Sequence, residues 1–140
     1  MRAASIEDLA GLDDLHRRAS LANDEHRDAL LANPGALGFR AEQIGDALVA
    51  EVGGRLAGYA VLLNSDGKAE LDGLFVEPDL WRQGVGSALV DAVTLEARRM
   101  GLSLITVVAN PEAVDFYRYC GFSVEGPEET RFGPAVRMSR

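Results

Sequence analysis

The strongest constraint on this chain is a change of hydrophobic period near residue 84. Before it, three apolar runs (Ala47 to Val52, Ala57 to Leu63, Glu70 to Val76) are separated only by Gly53-Gly54 and Asn64-Ser65-Asp66-Gly67. Turns this short join antiparallel neighbours, so the three runs form a meander. After it, Val85, Leu89, Ala92, Val93, Ala97 and Met100 recur at helical spacing, and Gly101 marks the stop. Leu104 to Val108 is again short and β-branched. Residues 70 to 108 therefore read as a strand–helix–strand crossover, which must be right-handed. A meander joined to a crossover is a mixed α/β (α+β) fold.

The flanks extend this outline. Ser5-Ile6-Glu7-Asp8 reads as a capping box opening a helix with Ile6, Leu9, Leu12 and Leu15 on one face. A second helix is expected from about Asp24 to Leu31, stopped by Asn33-Pro34-Gly35. Another spans about Glu112 to Tyr119 and ends at Gly121. Phe122 to Val124 and Ala135 to Met138 read as the last strands, with Pro134 suited to an edge. With no repeat and no linker, the 140 residues are expected to form one domain over 1–140.

Composition removes several function classes. The net charge is −8, and no Lys/Arg stripe could track a phosphate backbone, so no nucleic-acid partner is expected. No apolar run could cross a bilayer, so no membrane partner is expected either. The single cysteine, Cys120, cannot pair within the chain, which favours a reducing, cytoplasmic setting. It lacks a neighbouring histidine and reads as a packed thiol. His16 and His26 have no partner at ligand spacing, so no metal is expected. Arg82, Arg98 and Arg99 flank a glycine turn and could offer local positive potential to a polyanion.

That turn, Trp81-Arg82-Gln83-Gly84-Val85-Gly86-Ser87-Ala88-Leu89, lies between a strand and a helix. Glycines there let backbone approach a ligand, and the first helical turn leaves N–H groups unpaired, which suits an anion. The dinucleotide fingerprint fails, because position 89 is Leu89 and Ile105-Thr106-Val107 stands where its acid belongs. The nucleotide P-loop fails as well, because Gly67-Lys68 is followed by Ala69.

At these residues the chain resembles the GNAT superfamily of acetyltransferases, whose loop follows Gln/Arg-x-x-Gly-x-Gly/Ala. Gly84-x-Gly86 fits the second half, and Trp81 stands where Gln or Arg is expected. Leu71 to Pro78 before the loop, and Asn110-Pro111-Glu112-Ala113 leading to Phe116-Tyr117 and Gly121-Phe122, add two further motifs in the family's order. Together the three cover about half the chain.

The resemblance implies a mostly antiparallel sheet of six to seven strands, with splayed parallel fourth and fifth strands and four flanking helices. It implies acetyl-CoA as co-substrate, its arm pairing with the backbone of Leu74, Phe75 and Val76. The pyrophosphate would lie on Arg82, Gln83, Gly84, Val85, Gly86, Ser87 and Ala88, with Asn110 and Phe116 also contacting the cofactor. Tyr117 occupies the position of the family's general acid, and a phenol of pKa about 10 suits a thiolate leaving group. A backbone N–H near Val76 would stabilise the oxyanion. Glu70 or Asp72 could take the amine's proton, directly or through water, and Glu70 matches a position some members use. The implied acceptor is a primary amine of a small molecule, with a protein lysine or N-terminus, or no acceptor at all in a sensor module, as alternatives. A homodimer is compatible with the family. Trp81 could cover the adenine or simply pack on the surface.

Overall fold

The fold is that of a computed structural model, described for residues 1–22, 38–130 and 133–140. Seven strands form one sheet: β1 (Arg2–Ala3), β2 (Ala47–Val52), β3 (Arg55–Ser65), β4 (Lys68–Val76), β5 (Ile105–Ala109), β6 (Ser123–Thr130) and β7 (Gly133–Ser139). Their order is β1-β2-β3-β4-β5-β7-β6. Every pairing is antiparallel except β4 with β5. Three α-helices lie among the described residues: α1 (Leu9–Leu21), α2 (Val85–Arg99) and α3 (Val114–Tyr119). The helix expected at about Asp24 to Leu31, and His26 with it, lie outside the described residues.

Two cores sandwich the sheet. Under α2, Leu89, Val90, Val93 and Ala97 pack on Ala60, Leu62, Ala69, Leu71, Ile105 and Val107. Under α1, Leu12, Leu15 and Ala19 pack on Val49, Tyr59 and Val61. Spacings of three and four along each helix put these residues on one stripe.

Several expectations need correction. Ile6 is 76% exposed, since a 3-10 turn (Ile6–Asp8) precedes α1 and carries it off the apolar stripe. The capping box is present, with the Ser5 N–H donating to the Asp8 carboxylate at 2.8 Å. Arg98 and Arg99 do not flank the glycine turn: they sit in the last turn of α2, about 20 Å from its start at 1.5 Å per residue. Strand β7 is not an edge strand, because it lies between β5 and β6. Pro134 is tolerated because it pairs only with Glu129 of β6, beyond the last β5 partnership at Ala109–Val136. The two-residue β1 carries no periodic signal and was not expected.

Candidate functional site

The site begins at a β-bulge. Val61 faces Gly73 while Leu62 faces Leu71, so Asp72 is an extra residue in β4. The bulge shifts the alternation: Leu71 is buried on the α2 side, and beyond the bulge Leu74 and Val76 take that side while Phe75 faces α1. The alternation therefore cannot be carried past Asp72; Glu70 and Asp72 precede the break, and both lie opposite the α2-facing Ala69 and Leu71. The Asp72 carboxylate accepts Gln43 Nε2 at 2.7 Å.

Next to the bulge the parallel pair ends. Only Ala69, Glu70 and Leu71 have partners in β5, namely Ile105, Thr106 and Val107. Above them the strands part, and the antiparallel ladders show which backbone groups are left over. Glu77 N–H donates to Ala57 O at 2.8 Å, so the alternation bonds residues 73, 75 and 77 to β3 and turns Leu74 and Val76 toward the gap. On the opposite side, Ile105 and Arg140 exchange bonds of 3.1 and 2.9 Å, so residues 105, 107 and 109 bond β7 and Val108 turns toward the gap. Phe75, expected to offer its backbone, bonds β3 instead and contributes only its side chain to the cleft.

The gap opens into a cleft of about 510 Å³. Of the expected residues, Leu74, Phe75, Val76, Arg82, Gly86, Asn110, Phe116 and Tyr117 line it. Ala19, Leu80, Trp81, Glu112 and Ala113 complete the wall. At its floor stands the start of α2, where Gly84 is the N-cap with φ 87°, a left-handed conformation that favours glycine. Gly86 is needed for another reason: a Cβ there would lie 3.0 Å from Cζ of Phe116. By α-helical geometry the N–H groups of Val85, Gly86 and Ser87 lack intrahelical acceptors and form a donor cluster. Ala88 is not part of it, because its N–H already donates to Gly84 O at 3.0 Å.

Side chains around this cluster are arranged as follows. Gln83 Nε2 donates to Asp79 O at 3.4 Å, and the Ser87 side chain lies near the Cys120 thiol. Cys120 is buried, and burial raises its pKa, as suits a packed thiol. Arg82 adopts φ 64°, left-handed backbone that costs a residue with a Cβ about 1–2 kcal/mol. Trp81 donates its indole N–H to Val76 O at 2.9 Å, a contact no sequence pattern foretold. Asn110 is the N-cap of a 3-10 turn over Pro111–Ala113, yet its side chain makes no cap bond and stays on the cleft wall.

Tyr117 is buried, with Phe116 and Phe122 packed edge-on at 5.1 and 5.4 Å. Its hydroxyl has no hydrogen-bond partner among the described residues, while every fully buried side-chain polar atom described has one. The hydroxyl therefore opens onto the cleft. Burial raises its pKa above 10, so the phenol stays protonated at neutral pH. Glu70 does not line the cleft; it sits on the paired part of β4, opposite Thr106.

Sequence reasoning also missed the ion pair that fixes the top of β4. Glu77 is 5% exposed, and Arg18 of α1 grips its carboxylate at 2.8 and 2.7 Å. Arg55 meets Asp79 at 2.9 Å. A buried acid directly after an apolar strand was the available signal, since such an acid requires a partner.

Among the described residues, no group of three or more potential metal ligands occurs, and no helix is long and apolar enough to cross a membrane. The chain is 42% identical over 60 residues to the peptidyl-lysine N-acetyltransferase YjaB of Salmonella typhimurium, covering 42% of this chain and 39% of that protein. It is 31% identical over 129 residues to the mycothiol acetyltransferase of Parafrankia sp., covering 89% of this chain and 38% of that one. The chain thus spans about two fifths of the length of these curated relatives. The PaiA N-acetyltransferase of Thermoplasma acidophilum, solved with coenzyme A, superposes with a TM-score of 0.73 at 23% identity, over 99% of this chain and 96% of that one. The family model for the acetyltransferase (GNAT) family matches residues 9–122, and the chain belongs to that family.

Proposed function

We propose that the protein is an acetyl-CoA-dependent N-acetyltransferase acting on a primary amine of a small molecule. The observation that carries this reading is the one-sided pairing of β4 beyond Leu71, which turns the backbone of Leu74 and Val76 into a cleft floored by the α2 donor cluster. An extended amide-bearing arm ending in a pyrophosphate fits both features. Amide groups complete the open edge of β4 at Leu74 and the Val76 N–H, the Val76 carbonyl already accepting the Trp81 indole, and phosphate oxygens accept from Val85, Gly86 and Ser87. The missing Cβ at Gly86 lets the Phe116 ring pack closely against the start of α2.

Acetyl-CoA supplies the activated thioester. Leu74 and Val76 orient the arm, and Asn110 meets it from the β5 side. The Tyr117 hydroxyl, lacking an internal partner, donates a hydrogen bond to the departing sulfur. Its raised pKa disfavours early proton loss, so the proton moves only as negative charge builds on sulfur. Glu70 stands below the cleft and could take the amine's proton only through a chain of water. A cleft of about 510 Å³ falls within the range of small-molecule sites, as the cofactor arm assigned to it requires. A lysine side chain of a peptide is the second reading, favoured by the likeness to a peptidyl-lysine N-acetyltransferase.

Calorimetry with acetyl-CoA, followed by thiol release across diamines, amino acids and a lysine peptide, tests the reading. Tight binding with release by a small amine supports it. Release with the peptide alone moves the acceptor to the second reading, and no binding removes both. Tyr117→Phe should cut turnover by about 100-fold while leaving acetyl-CoA affinity within a factor of two.

A further inference from the structure

The segment that delivers the α2 donor cluster is tied to β3 at Asp79, through Arg55 at 2.9 Å, and beyond that residue mostly to itself. Leu80 N–H donates to Glu77 O at 2.9 Å, Trp81 N–H to Pro78 O at 3.3 Å, and Gln83 Nε2 to Asp79 O at 3.4 Å. The indole N–H of Trp81, on Val76 O at 2.9 Å, reaches back to the sheet. The next residue, Arg82, holds φ 64° although it has a Cβ. Its guanidinium makes no hydrogen bond or ion pair among the described residues, so nothing at Arg82 itself offsets the cost of that conformation. The restraint must come along the backbone, from Trp81 on one side and the N-cap Gly84 on the other.

We infer that Trp81 is a positioning residue: its indole anchors the loop to β4 and holds Arg82 left-handed, so that the N–H groups of the glycine turn face the phosphates. The inference deepens the acetyl-CoA reading and rests on it. It also accounts for an indole where the family's motif has Gln or Arg. A half-exposed Trp at 46% would otherwise have no reason to direct its one donor at a strand carbonyl beside the cleft.

Removal of the donor should matter only while residue 82 is strained, which a double-mutant cycle reads directly. Trp81→Phe should weaken coenzyme A binding about tenfold with Arg82 present, but less than threefold in an Arg82→Gly background, where φ near 64° costs nothing. Without ligand, Trp81→Phe should lower the melting temperature by about 2–4 °C with Arg82 present and by less in the Arg82→Gly background. The acceptor KM should stay unchanged, which general unfolding would not allow. Equal losses in both backgrounds, or tighter binding by Trp81→Phe, would overturn the inference. If wild-type protein fails to bind coenzyme A, the acetyl-CoA reading falls, and the ligand-free melting cycle still judges the coupling of Trp81 to Arg82.

Discussion

The two halves of β4 both carry apolar side chains and have opposite fates. From Ala69 to Leu71 the strand is bonded on both sides, and its apolar side chains are buried under α2. From Gly73 to Val76 it is bonded to β3 alone, and its residues are only partly buried. Both are apolar and β-prone, so hydrophobicity does not separate them. The separation comes from Asp72, the extra residue, and from β5, whose last residues follow β7 rather than β4. An interior strand that loses a neighbour partway leaves strand-like donors and acceptors unmet, and these are costly unless water or a ligand meets them. The lower half thus serves stability, and the upper half lines the cleft that the proposed function assigns to binding.

Substitutions should divide along the same line. The largest effect is expected at the floor of the upper half. Gly86→Leu places branched carbons against Phe116 and into the cleft, and should weaken acetyl-CoA binding more than about 100-fold by calorimetry, with the helix intact because Leu favours it. Leu71→Ala, in the lower half, should cost about 2–5 kcal/mol in urea unfolding, while Leu74→Ala should cost about 1 kcal/mol and weaken binding instead. Equal stability losses at the two leucines would erase the contrast.

Arg18→Ala leaves Glu77 buried without its bidentate partner and should cost about 1–3 kcal/mol, the exposed side of the pair limiting the loss. The smallest effect concerns His16, whose ring lies 4.4 Å from Phe75 and whose Nδ1 accepts Gly38 N–H at 2.9 Å. Burial lowers its pKa below the ordinary 6.5. The unfolded chain therefore binds the proton first, and stability falls as pH drops from about 6.5 toward the folded value. His16→Gln should remove that acid sensitivity in melts between pH 5 and 8.

Most elements were legible because each carries a local signal. Glycine turns delimit β2, β3 and β4, the 85–99 stripe marks α2, and β5 is β-branched. Gly84 and Gly86 marked the turn that opens α2, and Tyr117 was singled out by its motif position. Position along the chain says nothing about distance across the fold, which is why Arg98 and Arg99 were set beside a turn they do not approach. Periodicity also fails silently at a bulge: counting by two from Leu71 would put Gly73 and Phe75 on the α2 side, where Leu74 and Val76 stand instead.

The amino-acid sequence by itself determined the order of strands and helices and the glycine turn before α2, since turns, periods and caps act over a few residues. Tertiary structure alone decided where β4 and β5 part, which way the backbone of Leu74 and Val76 points, that Arg18 meets Glu77, and that the Trp81 indole closes on Val76. Each of these depends on register between segments distant in sequence or on a side-chain direction, and neither leaves a pattern in a single strand of letters.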